Sequence, residues 1–368
     1  MKTYLSILGR EPELSIAELR ALFSDVKKLS DSLATFTSPE TPNISRLGGS
    51  LKLAEKIEGN LIDYLMSLEE GKITLGFSDY SRAASKKTST TEAIKLKKLL
   101  VKNGRSVRIL ENKDSVLSTA TSHHNQIAEK KNHIEIIKVG SDYYTVIGVQ
   151  NITAYAHRDQ ARPARDARVG MLPPKLAQIL INLCGPLPGG ARILDPFCGT
   201  GVVLQEALLM GYLPYGTDLE PRMIDYSRRN LDWLEARIHT GKSISLEAGD
   251  ATDHTWQPPI DSVACETYLG PPMSTVPPEI KLRTAKDTCR PIIMGFLRNL
   301  AGQIQPGTPV VIAIPAWLRN DGSYSSLDIL DEVSDMGYNV TKVSGRGSLL
   351  YFRTGQIVAR EIIILRKI

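Results

Sequence analysis

The fold of this chain is decided by one stretch of sequence, Ile193-Leu194-Asp195-Pro196-Phe197-Cys198-Gly199-Thr200-Gly201. This stretch predicts an apolar strand that runs into a glycine-rich turn and then into a helix. In an open sheet of parallel strands, such a turn borders the crevice where nucleotide-like ligands bind. A dinucleotide site would need a third small residue, but Leu204 stands at that position, so the dehydrogenase fingerprint is not met.

From about residue 170 onward, the sequence predicts strands that alternate with long helices. Helices are expected at 174–183, 202–210 and 222–236. Strands are expected at 191–194, 213–216, 243–248, 261–265, 309–314, 339–344 and 357–365. Alternation of this kind is typical of an α/β fold in which a parallel sheet carries helices on both faces.

The glycine-rich turn resembles motif I of the class I S-adenosylmethionine-dependent methyltransferases. By that resemblance Asp195 would accept a hydrogen bond from the methionine ammonium, and the two glycines would let the backbone approach the cofactor. Asp218 follows the second strand and would hold the ribose hydroxyls, and Asp250 follows the third and would hold the adenine amino group. The implied cofactor-binding residues are Asp195, Pro196, Gly199, Thr200, Gly201, Asp218, Leu219, Gly249, Asp250, Ala251, Met171 and Pro173.

The composition excludes several other classes of protein. Of the 368 residues, 42% are hydrophobic and 23% are charged, which is ordinary for a globular chain of two or three domains and excludes a mainly disordered one. No apolar run reaches the length needed to cross a bilayer, so we expect a cytoplasmic protein that does not enter membranes. The four cysteines are far apart, which indicates neither a disulfide framework nor a metal site.

The positive charge is concentrated in the front half of the chain. Residues 1–170 contain 26 Lys and Arg against 20 Asp and Glu, whereas residues 171–368 are close to neutral. Nine basic residues fall between Arg82 and Arg108, with Glu92 as the single acid. Because phosphate contacts supply most sequence-independent affinity for nucleic acid, this stretch predicts a polyanionic partner, and a solvated helix face is the alternative.

The front half predicts two small α/β units. The first covers residues 1–70, with a strand at 4–8 and a helix at 16–23 that begins at a capping box of Ser15 and Glu18. The second covers residues 71–155, with a surface loop or helix entry at 81–91 and a helix at 91–102. A basic connector is expected at 156–170, before the main α/β domain at 171–368.

Four segments together are similar to the archaeal and eukaryotic tRNA guanosine N2-methyltransferases. They are the start Tyr4–Ser15, the basic middle part, the run Arg165–Ala177 and the glycine turn. The resemblance implies a ferredoxin-like unit, a THUMP RNA-binding domain, and a Rossmann-like domain whose mostly parallel seven-stranded sheet ends in an antiparallel hairpin. It further implies methylation of the tRNA guanosine at position ten, although another structured RNA is a possible substrate. The expected RNA-binding residues are Lys86, Lys87, Lys95, Lys97, Lys98, Arg105 and Arg165.

The chain departs from that family at the end of its fourth strand. The family has Asp-Pro-Pro-Tyr or Asn-Pro-Pro-Tyr there, and this chain has Glu266-Thr267-Tyr268-Leu269-Gly270, followed by Pro271-Pro272-Met273. Glu266, Thr267 and Tyr268 are therefore the predicted catalytic residues, with Glu266 and Tyr268 orienting the acceptor. The additional methylene of glutamate displaces the carboxylate by about 1.5 Å, one carbon–carbon bond.

This departure leaves three interpretations open. The enzyme either keeps amino methylation with a re-formed site, or methylates a different atom, or binds cofactor and RNA with little turnover as a scaffold protein. The order of motifs would also suit a DNA amino-methyltransferase. The sequence determines neither the oligomeric state nor a need for a small activator protein.

Overall fold

A computed structural model describes residues 1–166, 171–343 and 348–368. The chain divides into two compact units, Met1–Ala154 and Tyr155–Ile368. Among the described residues, the helices are all too short or too polar to cross a bilayer.

The first unit is built on one mixed sheet. Its elements are β1 (Lys2–Leu8), α1 (Pro12–Leu22), β2 (Ser24–Ser30), β3 (Leu33–Ser38), β4 (Ser50–Lys56), α2 (Leu61–Met66), β5 (Ile73–Asp79), α3 (Lys86–Lys102), β6 (Val107–Ile109), α4 (Thr119–His124), β7 (His133–Val139) and β8 (Asp142–Val149). Within the described residues the sheet has eight strands in the order β2-β3-β1-β4-β8-β7-β5-β6. Antiparallel pairing of β4 with β8 joins the strands of residues 1–70 to those of residues 71–155 in one sheet. The boundary predicted at residue 70 therefore does not separate two compact units.

A buried ion pair links β4 and β7 across the sheet. Lys52 on β4 donates from Nζ to both carboxylate oxygens of Glu135 on β7, at 2.7 and 2.8 Å, and to the Leu117 carbonyl at 2.8 Å. Glu135 also accepts from the hydroxyls of Ser78 and Ser122, at 2.6 and 2.7 Å. Both charged side chains are almost fully buried, and these hydrogen bonds offset the cost of their desolvation.

The predicted capping box at Ser15 and Glu18 is wrong. The helix α1 begins one turn earlier, because Pro12 occupies its first turn, and the Ser15 hydroxyl donates to the Glu11 carbonyl at 3.0 Å. Glu18 instead accepts from the backbone N–H groups of Gly48 and Gly49, at 2.9 and 2.8 Å. Its buried carboxylate therefore fixes the turn before β4.

Two helices extend into segments that the sequence leaves partly irregular. The helix α3 starts at Lys86, inside the segment 81–91 that predicts a surface loop or helix entry, because Ser85 and Thr88 form a capping box there. A further helix, α5 (Ile152–Gln160), occupies part of the predicted connector. Arg158 on α5 is fixed by a 2.7 Å ion pair with the buried Glu206 of the second unit, to which both residues belong.

The second unit is a doubly wound sheet. After α5 its elements are α6 (Pro174–Leu183), β9 (Arg192–Asp195), α7 (Val202–Leu209), β10 (Leu213–Asp218), α8 (Pro221–Ile238), β11 (Ser245–Ala248), β12 (Ser262–Glu266), α9 (Glu279–Ala301), β13 (Pro309–Leu318), β14 (Tyr324–Ser325), α10 (Leu330–Asp335), β15 (Tyr338–Val340), β16 (Ser348–Tyr351) and β17 (Val358–Lys367). The predicted helices and central strands are confirmed, whereas α9 was missed.

The described strands of this sheet follow the order β11-β10-β9-β12-β13-β17-β15, with β14 and β16 pairing at its side. The first five are parallel, and β17 runs antiparallel to β13, as the predicted Rossmann-like fold requires. The central strand β13 is buried along nearly its whole length, since α6 and α9 pack against it and β12 and β17 pair with its two edges. The topology confirms the expected α/β fold class.

Replacing Lys52 by Met should lower the free energy of unfolding by about 3–5 kcal/mol, because Glu135 would remain as an uncompensated buried charge. Urea denaturation followed by circular dichroism measures this loss. The matched control is Lys56→Met on the same strand, whose 3.1 Å pair with Asp142 is partly exposed and contributes less than about 1 kcal/mol. Equal losses in both variants would contradict the assignment.

Candidate active site

A cavity of about 1190 Å³ opens at the carboxyl ends of the parallel strands β9, β10 and β12. This volume is large enough for a nucleoside cofactor together with part of an acceptor. The predicted site residues that line it are Met171, Asp195, Pro196, Gly199, Thr200, Asp218, Leu219, Asp250, Ala251, Glu266, Thr267 and Tyr268.

Asp195 ends β9 and forms the floor of the cavity. Its side chain is almost completely buried, and its Oδ1 accepts a hydrogen bond from the Phe197 N–H at 3.1 Å. Burial raises the pKa of this carboxyl well above its usual range, and the nearby charges of Asp218 and Glu266 raise it further. A cationic ligand group beside Asp195 would therefore be bound favourably, since it compensates a buried negative charge.

The glycine turn after β9 has the conformation that its sequence predicts. Gly199 and Gly201 both have positive φ, at 52° and 81°, and Gly201 is the N-cap residue of α7. A Cβ atom on Gly201 would lie 2.9 Å from the Ser227 hydroxyl, so α8 packs directly on this backbone. Only glycine allows both the left-handed turn and that close approach.

Asp218 ends β10 and holds the turn in place. Its Oδ2 accepts from the Gly199 N–H at 2.8 Å, and its Oδ1 accepts from the Glu220 N–H at 3.0 Å. Burial raises the pKa of this carboxyl, and the two N–H donors act in the opposite direction. The same carboxylate therefore shapes the glycine turn and faces the cavity, where it can accept hydroxyl hydrogen bonds.

Asp250 lies in the turn that follows β11. Its Oδ1 accepts from the backbone N–H and the hydroxyl of Thr252, at 2.9 and 2.8 Å, while Oδ2 has no partner among the described residues. Gly249 has a packing role, because a Cβ there would lie 2.1 Å from Nδ1 of His254. This turn thus presents one free carboxylate oxygen to the cavity.

Three predicted cofactor residues, Gly201, Gly249 and Pro173, are not among the described residues that line the cavity. Pro173 is the N-cap residue of α6, and its carbonyl accepts the first hydrogen bonds of that helix. Met171 does line the cavity, and its sulfur accepts from Nη2 of the buried Arg162 at 2.9 Å. Residues 167–170 of the run Arg165–Ala177 lie outside the described residues.

Glu266 ends β12 and enters the cavity from the side opposite Asp218. Its Oε1 accepts a hydrogen bond from Nε of Arg360 on β17, a contact that the sequence did not predict. Burial raises the pKa of the Glu266 carboxyl, and the Arg360 charge lowers it. Arg360 is 94 positions away in the sequence, so only the pairing of β17 with β13 and of β13 with β12 reveals this contact.

Thr267 and Tyr268, which follow Glu266, have different surroundings in the structure. The Thr267 hydroxyl and N–H both donate to the Ala313 carbonyl, at 3.2 and 3.0 Å, so Thr267 fixes the end of β12 to β13. Tyr268 is 40% exposed and lines the cavity, as an aromatic residue that contacts a planar base would. The run Gly270–Met273, which the sequence places beyond the strand end, lines the same cavity.

The residues present fit the cofactor that the resemblance implies. A buried acid faces the position of a cationic group, a glycine turn leaves room for a close ligand, and two further acids stand at neighbouring strand ends. The fold and the site resemble those of the Rossmann-like methyltransferases that depend on S-adenosylmethionine. Residues 162–282 match the sequence profile of the family described as "UPF0020: RMKL-like, methyltransferase domain".

Curated relatives of the chain bear out the resemblance to tRNA methyltransferases. The tRNA (guanine(10)-N2)-dimethyltransferase of Methanothermobacter thermautotrophicus is 33% identical over 165 residues, 44% of either chain, so this match spans less than half of that relative. The Methanocaldococcus jannaschii enzyme of the same name is 24% identical over 249 residues, 61% of this chain and 69% of its own length. Among solved structures, TrmN from Thermus thermophilus aligns over 100% of both chains, with 17% identity and a TM-score of 0.49.

The predicted RNA-binding residues lie outside this cavity. Lys86, Lys87, Lys95, Lys97 and Lys98 are all exposed on α3, and Lys95 pairs with Glu92 at 2.8 Å. Arg105 has a structural role instead, because its guanidinium donates to the carbonyls of Met66, Leu68 and Glu69. Arg165 is exposed and donates to the Gln160 carbonyl at 3.4 Å.

Replacing Asp218 by Ala should weaken the binding of S-adenosylmethionine at least about tenfold, because the ribose hydroxyls lose a charged acceptor and the glycine turn loses its anchor. Isothermal titration calorimetry measures the affinity. The control is Asp253→Ala, which removes the same charge from an exposed position in the turn after β11. An unchanged affinity in Asp218→Ala would show that the cofactor binds elsewhere.

Proposed function

We propose that this protein transfers a methyl group from S-adenosylmethionine to the exocyclic N2 of a guanosine in tRNA, at position ten, the position in the names of its relatives. The observation that carries the proposal is the placement of Glu266 in one cavity with the three acids of the cofactor side. A tRNA substrate would place the reaction in the cytoplasm.

The cofactor side is formed by residues at three strand ends and by Met171, which lies before α6. Asp195 compensates the methionine ammonium, Asp218 accepts from the ribose hydroxyls, and the free oxygen of Asp250 accepts from the adenine amino group. Met171 and Leu219 supply apolar contacts. The group bound here supplies an electrophilic methyl carbon on a sulfonium sulfur.

The acceptor side is formed by Glu266 and Tyr268. Glu266 accepts a hydrogen bond from the exocyclic amino group, which aims the nitrogen lone pair at the methyl carbon. The cofactor would supply the methyl group on its sulfonium sulfur, and the Glu266 carboxylate would take up the proton that the amino nitrogen releases on methylation. Only the ionised carboxylate can accept it; burial raises the pKa of Glu266, and the positive charge of Arg360 opposes that rise.

The family's two prolines are missing from the strand end, but the structure supplies other constraints. Thr267 fixes the backbone to β13, and Arg360 fixes the Glu266 carboxylate. The additional methylene of glutamate is thus held in a defined position rather than left free. We therefore favour the interpretation of a re-formed amino-methylation site over that of an inactive scaffold protein.

The exposed lysines of α3 form the proposed contact with tRNA phosphates. A base inside a folded RNA must leave its stack to enter a cavity of this kind, so binding of the surrounding backbone has to compensate for the unstacking. The charge on α3 supplies that affinity without reading sequence.

Wild-type protein should transfer label from methyl-labelled S-adenosylmethionine to tRNA from cells that lack this protein, and N2-methylguanosine should appear by mass spectrometry. Replacing Glu266 by Ala should lower the rate about 100-fold, because the amino group loses the acceptor that orients it. The control is Glu279→Ala, which removes an exposed carboxylate at the start of α9.

Three results would count against this proposal. Cofactor binding without transfer to any acceptor would support a scaffold protein. Label in DNA rather than tRNA would indicate a DNA methyltransferase, and label on another tRNA atom would leave the enzyme but exclude the N2 assignment.

Reversing Lys97 and Lys98 to Glu should weaken tRNA binding and reduce the slope of log affinity against log salt by about 1.5–2, since two phosphate contacts are lost. Filter binding over a salt series measures both quantities. The control reverses Lys27 and Lys130, two exposed lysines of the same unit outside α3. If both double variants bind alike, α3 is only a solvated helix.

A further inference from the structure

The ion pair between Glu266 and Arg360 leaves hydrogen-bonding groups unused. Nε of Arg360 donates to Oε1 of Glu266, while Oε2 of Glu266 and both terminal nitrogens of Arg360 have no partner within residues 1–166, 171–343 and 348–368. Both residues line the cavity. None of these three atoms is fully buried, so each can be reached from the cavity.

This pair is held more firmly than an ordinary surface ion pair. The exposed fractions of the two side chains are 14% for Glu266 and 3% for Arg360. Each residue lies on a strand whose neighbours fix it, since Glu266 is paired with Ala313 and Arg360 with Pro315 of β13. Together they present a donor beside an acceptor, in a fixed order, at the end of the cavity where the acceptor base would lie.

Such a pair distinguishes the nucleobases by their hydrogen-bonding edges. The Watson–Crick edge of guanine offers an acceptor, O6, followed by two donors, N1–H and the N2 amino group. Adenine offers the reverse order, with an amino donor and then the N1 acceptor. A guanidinium beside a carboxylate therefore complements guanine, and with adenine it leaves buried polar groups unpaired.

We propose that Arg360 is a specificity-determining residue, which donates to O6 of the flipped guanine while the carboxylate of Glu266 accepts from N1–H and the N2 amino group. The oxygen that Arg360 already contacts, Oε1, faces N1–H, and the free Oε2 faces the amino group that receives the methyl. This inference rests on the proposed function and adds to it how the base is recognised. It also assigns a function to the longer side chain of glutamate, one that an aspartate would not perform.

Base analogues test this proposal with the wild-type protein. tRNA would be assembled with 2-aminopurine or 2,6-diaminopurine in place of the target guanosine, because both keep the amino group at C2 but lack O6 and N1–H. Recognition through Arg360 and Glu266 should lower kcat/KM for either analogue by at least about tenfold for each lost contact. Equal kcat/KM for guanosine and both analogues would overturn the proposal.

Variants of Arg360 distinguish recognition of the base by Arg360 from a role that is limited to positioning Glu266. Arg360→Met should lower kcat/KM for guanosine and bring the ratio of guanosine to 2-aminopurine towards one, and Arg360→Lys should restore part of that ratio. The control is Arg366→Gln on the same strand, where the side chain is exposed and contacts only the Gly307 carbonyl among described residues. A lower rate with an unchanged ratio would mean that Arg360 supports Glu266 but does not read the base.

The two proposals fail in distinguishable ways. If wild-type protein methylates no transcript while it binds the cofactor, the proposed function is wrong. If it methylates guanosine and both analogues with equal kcat/KM, only the role of Arg360 in recognition is wrong. Cofactor affinity and thermal unfolding of each Arg360 variant show that the protein is folded, and the analogue series on wild type decides the question should a variant not fold.

Discussion

The parallel pairing of β9 with its neighbours β10 and β12 is the constraint on which the rest of the catalytic unit depends. Parallel strands present their carboxyl ends at one edge, so Asp195, Asp218 and Glu266 converge although they are distant in sequence. Burial raises the pKa of each of these three carboxyl groups, and the charges of Asp218 and Glu266 raise that of Asp195 further. Backbone N–H donors, Arg360 and a cationic ligand are the groups that compensate this charge.

Two buried ion pairs serve different purposes in the two units. Lys52 and Glu135 are saturated by hydrogen bonds from the protein itself, so their pair holds one sheet together and has no capacity for a ligand. Within the part of the chain that the structure describes, Glu266 and Arg360 share a single hydrogen bond and leave three polar atoms open to a cavity. The same chemistry is therefore structural in the first unit and available for recognition in the second.

Agreement between sequence and structure follows the range of the interactions involved. The glycine turn, the strand ends at Asp218 and Asp250, and the helix from Pro174 were predictable because each depends on neighbouring residues. The helix α9 carries its apolar residues at helical spacing and could have been found in the same way, although Pro291 interrupts it. The error at Ser15 arose because Pro12 starts the helix one turn earlier and Glu18 accepts from the N–H groups of the distant Gly48 and Gly49.

The sequence by itself determined the class of fold, the cofactor turn and the residue at the altered strand end, since backbone conformation and hydrophobic periodicity are local properties. Only the tertiary structure decided what surrounds that residue. Arg360 contacts Glu266 because of the register of two strand pairs. Arg105 belongs to the basic stretch, but its guanidinium donates to backbone carbonyls. Such pairings depend on contacts between residues far apart in the chain, and no short pattern of residues encodes them.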